Sequence, residues 1–370
     1  MNRVLAWLLA ALAAGCGGPS GPLPAALLPI ADERPVRVLW TADIGTAEHF
    51  NLMPTFAGDS VYSAARDGRI VRFDASSGKE HWRAYADMRV SGGVGADTQT
   101  VVVASEAGEV AAFDAGNGKL RWRARVSSEV LSPPTVGRGV VLVRSIDNRI
   151  FALDAQDGKR RWVYQRPAST LVVRTPAGAV IRDEIAYAGF RGGKLAAISL
   201  ANGGVRWEAT VAQSKGTTEL ERVIDVVGDP ALQGREVCAT AYQGRLACFD
   251  ALTGNQLWAR EISSATGVSL DARYAFVSDD KGAVQAFDRS TGRSVWKQDK
   301  LALRQLSLPM PAGNSVAVGD FEGYVHFLAR DSGAFLARFS SRGGRVRAAI
   351  ALPSGLLVQT HGGALHALSL

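Results

Sequence analysis

The sequence predicts an all-β fold: an eight-bladed β-propeller of four-stranded antiparallel blades, its ring closed by pairing the N-terminal strand with the C-terminal blade. Three observations predict it. One phrase of fifteen residues recurs along the chain. The phrase is written as a hairpin. Its two hallmark strands each occur eight times, but out of step with one another.

The copies run in order as GRIVRFDASSGKEHW (Gly68 to Trp82), GEVAAFDAGNGKLRW (Gly108 to Trp122), NRIFALDAQDGKRRW (Asn148 to Trp162) and GKLAAISLANGGVRW (Gly193 to Trp207). They continue as GRLACFDALTGNQLW (Gly244 to Trp258), GAVQAFDRSTGRSVW (Gly282 to Trp296) and the degraded GYVHFLARDSGAFLA (Gly323 to Ala337). Opening and closing positions are always 14 apart, while the spacers between copies vary. A constant core with variable spacers is the mark of a repeated structural unit whose insertions fall in loops. Six of the eight Trp close copies, Trp40 ends the partial copy VRVLW, and only Trp7 lies outside.

Each copy reads as strand, turn, strand. RIVRFD alternates and is rich in β-branched and aromatic residues. DASSGK is turn chemistry: the Asp carboxylate accepts from backbone N–H groups ahead of it, and the Gly takes a left-handed conformation at little cost. KEHW begins the next strand. Upstream, SVYSAARDG or TVVVASEAG supplies another strand, and a short run with Pro, such as NLMPT or SPPTV, supplies a fourth. Four short strands in roughly 40 residues make a propeller blade.

The outer strand occurs at Trp40, Trp82, Trp122, Trp162, Trp207, Trp258, Trp296 and Ala337, and the strand before it after Gly68, Gly108, Asn148, Gly193, Gly244, Gly282, Gly323 and Gly363. The first outer strand has no predecessor and the last third strand, GALHALSL, has no successor. Pairing these two leftovers closes the ring and leaves no blade short of a strand. An all-β sandwich would require seven copies in fixed register by accident. A seven-bladed ring is the nearer rival, because terminal repeats are often atypical.

The ring spans residues 36–370, preceded by a signal peptide (1–15) and a Cys with a flexible Pro/Gly-rich tether (16–35). The chain opens with the basic MNR and the apolar run VLAWLLAALAA, too short to span a bilayer comfortably. AAGCGG then resembles a bacterial lipobox, in which the peptide is cut before the Cys and the Cys is acylated. Ala13 stands where Leu is usual, with Leu12 one place further away. The plainer alternative is a secretory signal with an incidental Cys. Several acyl chains on Cys16 would anchor the protein stably. Gly17 follows rather than an Asp resembling an inner-membrane retention signal, so the expected address is the outer membrane, facing the periplasm.

The formal net charge of +7 becomes +6 without Arg3, and no long Lys/Arg run occurs, so a nucleic-acid surface is not indicated. Catalytic motifs are missing too: no Walker loop, dinucleotide fingerprint, G-x-S-x-G or H-E-x-x-H. The His residues stand apart from any metal-ligand spacing, and His326 and His366 occupy equivalent strand positions, which reads as packing or surface. Asp74, Asp114, Asp154, Asp250 and Asp288 read as turn formers, and the Trp series as inter-blade packing. The chain is therefore expected to be non-catalytic and to need no cofactor or metal. Cys238 and Cys248 face each other if YQG is a three-residue turn. An oxidising compartment permits a cross-strand disulfide there, and a reduced pair would pack as small apolar residues.

FDASSGKEHW, FDAGNGKLRW and LDAQDGKRRW resemble the tryptophan-docking repeat of quinoprotein (PQQ) dehydrogenases, but that family's vicinal Cys pair and an acidic cluster for a calcium-bound quinone are missing. The whole organisation, lipobox, tether and eight repeats without enzymatic insertions, resembles the BamB family of lipoprotein subunits of the outer-membrane β-barrel assembly machinery. GTTELERVIDV, VGDFEGYVHFL and TLVVRTPAGA are similar to that family's segments. The resemblance implies a scaffold that binds the barrel subunit BamA, and through it the other subunits, and that assists insertion of β-barrel proteins. Strand edges offered to unfolded outer-membrane proteins are a further expectation. The family's L-x-L-R patch maps onto Leu171, Val173 and Arg174, with Val for the second Leu. Its D-x-D maps onto Asp225, with Val227 replacing the second acid. A PQQ-dependent dehydrogenase and a ligand-binding or sensor propeller are the alternative readings.

Strand alternation puts every blade-to-blade connection on one face. The connections holding Leu171–Arg174 and Asp225 are neighbours there. The stretch from Trp207 to Gly244 covers 37 positions, against 26 from Trp82 to Gly108, and long loops on a rigid ring are where binding concentrates.

Overall fold

The computed structural model describes residues 22–167, 177–214 and 223–370. The signal peptide, Cys16, Leu171, Val173 and Arg174 lie outside the described residues. Eight four-stranded antiparallel sheets form the ring. Within each, the chain runs from an inner strand outward, as in Thr55–Ala57, Ser60–Ala64, Arg69–Asp74 and Glu80–Tyr85 of the first blade. The inner strands of successive blades touch all the way round, including the eighth against the first. The eighth blade is made of Val346–Leu352, Gly355–Thr360, Ala364–Ser369 and the N-terminal strand Arg37–Asp43, which pairs antiparallel with Ala364–Ser369. The two leftover strands of the sequence thus meet.

The cores lie between blades. Eight apolar clusters each straddle one junction. The repeated phrase builds these junctions. Each outer strand carries a β-bulge at the same place, where Trp82 pairs with Arg72 and Glu80 with Phe73, leaving His81 unpaired. A bulge re-aims the side chains that follow it. Seven Trp indole N–H groups then reach across to the next blade and donate to a backbone carbonyl there at 2.6–3.0 Å. The turn Gly of that blade has two reasons to be Gly: Gly158 sits at φ +72°, and a Cβ on it would stand 2.6 Å from the Trp122 ring. The turn Asp residues act as expected, Asp74 accepting from the N–H groups of Ser76 and Ser77 and Asp250 from those of Leu252 and Thr253.

One segment departs from the sequence reading. Residues 25–34, read as flexible tether, are docked against the sixth and seventh blades. Ala25 N–H donates to Ala302 O at 2.9 Å and Arg34 N–H to Leu336 O at 2.8 Å. Arg304 Nη1 and Arg338 Nη2 donate to the carbonyls of Ala25 and Leu28. Arg338 N–H donates to Glu33 Oε1, and Leu27 packs on the sixth–seventh core. Ala25, Ala26, Pro29 and Ala31 have almost no side-chain entropy to lose, and each hydrogen bond adds about 0.5–1.5 kcal/mol.

Candidate functional site

The connection face gathers charged side chains around the junction of the third, fourth and fifth blades. Arg144 is the next-to-last residue of the second strand of the third blade (Val140–Ser145), Arg191 follows the second strand of the fourth (Ile185–Phe190), and Asp225 precedes the inner strand of the fifth (Val226–Gln233). These side chains line a small cavity together with Asn148 and Ala177. Arg191 and Asp225 form an isolated antiparallel bridge. Gly192 N–H points at Asp225 Oδ1 at 3.4 Å, and Tyr242 N–H donates to Asp225 O at 2.9 Å. Asn148 Nδ2 donates to Pro167 O, and Arg166 N–H to Asn148 O. The start of the connection leaving the third blade is therefore pinned to that blade. Arg144 and Arg166 both lie over the Phe190 ring, at 5.2 and 5.5 Å from its centroid, and Arg166 pairs with Glu208.

Electrostatics sharpen the picture. Burial and the neighbouring Arg191 push the Arg144 guanidinium down to about 10, against the pull of Asp229 and Asp225. Burial also lowers Arg191, with Asp225 and Asp147 opposing. Both cations keep their charge at neutral pH. Asp229 is the residue the sequence reading missed. Asp229 lines the central channel, and desolvation by the surrounding protein raises its pKa, against the Gly178 N–H that donates to it at 2.7 Å and the charge of Arg144. Its signal was present as an acid before Pro230 in a mostly apolar inner strand. Val227, where the family pattern has an acid, is buried and pairs with Thr240.

Asp225 itself is only 4% exposed. It props the face from beneath. On the far side of the fifth blade, Cys238 and Cys248 stand opposite each other and are joined by a disulfide. His326 is wholly buried and bonded to Asp320, so it is a packing residue. Among the described residues, no three His, Cys, Asp or Glu side chains gather as a metal site.

Comparison with known proteins agrees with this architecture. The family profile described as outer membrane protein assembly factor BamB matches residues 31–91 and 66–298. A protein of that description from Bordetella pertussis is 47% identical over 344 residues, covering 92% of this chain and 89% of its own. One from Pseudomonas aeruginosa is 45% identical over 347 residues, covering 92% and 91%. The crystal structure of BamB from Moraxella catarrhalis superposes with a TM-score of 0.83 at 26% identity, covering 90% of this chain and all of that one. A quinohemoprotein alcohol dehydrogenase from Comamonas testosteroni reaches a TM-score of 0.66 at 12% identity, which shows a shared fold alone.

Proposed function

The chain belongs to the BamB family of outer-membrane protein assembly factors, and on that premise we propose that it is a non-catalytic scaffold, lipid-anchored at Cys16 and facing the periplasm, whose connection face binds BamA. The observation that supports this reading is the platform of the third to fifth blades. A disulfide, a backbone bridge between Arg191 and the buried Asp225, and a pinned chain at Arg166–Pro167 make a rigid base beneath the two connections that carry the family's partner motif. A rigid base lowers the ordering cost of binding. Leu171, Val173 and Arg174 supply the contact, a cation beside aliphatic groups. Asp225 acts through its neighbours as a positioning residue. The ring holds the barrel subunit's periplasmic part in one orientation while clients insert.

The test is recovery of BamA with tagged variants from detergent-solubilised membranes. Arg174→Glu is expected to lose BamA while its circular dichroism stays native, because removing a desolvated charged contact costs about 2–5 kcal/mol. Lys79→Glu, in a turn on the opposite face, is expected to recover BamA in full. Asp225→Asn is expected to weaken recovery and lower the melting temperature together, as a prop would. Full BamA recovery with folded Arg174→Glu overturns this placement of the interface. Mass spectrometry of native protein without acyl mass on Cys16 overturns the anchor.

A further inference from the structure

The central channel opens on the same connection face as a cavity of about 770 Å³. Phe50, Met53, Leu131, Pro133, Leu308 and Met310 supply apolar wall. Arg345, just before the inner strand of the eighth blade (Val346–Leu352), and Arg347, its second residue, lie on it. Arg347 is the extra residue of a β-bulge between Val346 and Ala348, and both arginines line the channel mouth.

These two arginines differ from others on the face. Arg66 pairs with Glu48 and Glu106, and Arg304 with Asp320 and Glu322. Among the described residues, Arg345 donates from its side chain to a neutral acceptor alone, Gln305 Oε1 at 3.0 Å. Arg347 Nη2 meets His361 Nδ1 at 3.5 Å, and its Nε is buried without an acceptor. Among the described residues neither forms a salt bridge with a carboxylate. Burial lowers the pKa of both, and Arg345 adds to the effect on Arg347. Two partly desolvated cations side by side, one with an unanswered buried N–H, are unfavourable alone. A planar carboxylate answers both at once, with two charge-assisted hydrogen bonds.

We propose that this channel mouth binds an extended peptide segment in which a carboxylate side chain is flanked by apolar ones, the carboxylate held by Arg345 and Arg347 and the flanking groups by the Phe50, Met53, Leu308 and Met310 walls. A lone carboxylate would leave that wall uncovered. The cavity is also continuous with the proposed partner face, since Leu131 and Ser132 line both it and the Arg144–Asp225 cavity. This goes beyond the BamA reading, and its test uses no BamA, so either can fail alone.

The experiment is fluorescence anisotropy of a labelled, end-blocked Leu-Asp-Phe-Asp-Leu peptide titrated with the purified full-length protein in detergent. The acidic peptide is expected to bind and the matched Asn peptide to bind roughly tenfold more weakly or worse. The Arg345→Gln/Arg347→Gln double variant is expected to lose the preference for Asp over Asn while keeping or raising its melting temperature, because it relieves repulsion. Equal affinity for Asp and Asn peptides overturns the proposal, as does an unchanged preference in the double variant. If succinate displaces the peptide at concentrations matching the peptide's own affinity, the site takes free carboxylates and the peptide assignment fails.

Discussion

Seven junctions of this ring are sealed in one way and the eighth in another. At seven, a Trp donates to a carbonyl of the next blade and its ring lies where that blade's turn Gly lacks a Cβ. At the junction of the seventh and eighth blades the Trp position is Ala337, fully buried. The eighth blade explains the change. Its third and fourth strands come from opposite ends of the chain, so no turn joins them and none offers a carbonyl or a Gly to a Trp. The N-terminal segment covers the site in its place. Arg34 N–H bonds to Leu336 O, Val36 joins the local core, and Arg304 and Arg338 hold the strap by its carbonyls. A repeat lock needs both halves of the repeat, and where the chain ends a different set of residues must complete the ring.

The sharpest way to break this comparison is deletion. Removing Val36–Thr41 takes the outer strand from the eighth blade and exposes both a hydrogen-bonding edge and core. Aggregation or the lowest melting temperature of the series is expected. Removing Gly17–Ala31 takes away the strap as far as Ala31, including the carbonyls held by Arg304 and Arg338 and the packed Leu27, and is expected to cost an intermediate amount. Removing only Gly17–Pro24 should cost little. Thermal melts of the three proteins test the order, and equal values for the Gly17–Ala31 and Gly17–Pro24 deletions would show that the strap contributes nothing.

Exchange of the two kinds of junction sharpens it further. Trp122→Ala removes a buried indole and its hydrogen bond to Ala155 O, at an expected cost of about 3–5 kcal/mol. The reverse change, Ala337→Trp, puts an indole where no turn awaits it, at an expected cost of about 1–3 kcal/mol from overpacking. Denaturant titrations of both proteins check this. A stabilising Ala337→Trp would mean that the eighth junction is merely a decayed copy of the others.

The same contrast separates what could be read in the sequence from what could not. Blades, turns, closure and the facing of Cys238 and Cys248 were legible because each is written locally and repeated, so register could be counted. The strap was not. Residues 25–34 have no periodicity, and their partners lie about three hundred positions away, at Arg304, Leu336 and Arg338. Asp225 was singled out in the sequence, but the burial of its side chain was not. Its loop position suggested exposure, whereas the Arg191 bridge, between residues of different blades, draws it inward. The segment VGDFEGYVHFL stood out in the sequence without a reason. Its Asp320 accepts from Arg304 Nε, from the N–H groups of Glu322 and Tyr324, and from His326. It is the hub that aims Arg304 at the strap.

That hub gives the smallest expected effect, a pH dependence confined to the strap's support. His326 Nδ1 accepts from Arg338 Nε at 3.3 Å while Nε2 faces Asp320 Oδ2 at 3.0 Å. Burial lowers the His326 pKa, Asp320 pulls it back, and the charges of Arg338 and Arg304 lower it further. The neutral ring is the one that fits, donating to Asp320 and accepting from Arg338. Because the folded-state pKa is below that of the unfolded chain, the unfolded chain takes up the proton first. Stability from this site is therefore complete above the ordinary imidazole range and is lost as pH falls through it. Asp320 is also held low, the hydrogen bonds from His326, Arg304 and Tyr324 N–H outweighing its burial, but its loss falls in the more acid carboxylate range. His326→Gln keeps a donor for Asp320 and an acceptor for Arg338 and cannot titrate. The wild type is expected to lose more melting temperature than His326→Gln between pH 8 and pH 5.5. His361 and His366, also lowered by burial, are present in both proteins and cancel. Parallel losses in the two proteins would remove His326 from the strap's support and leave Arg304 and Asp320 to hold the strap without it.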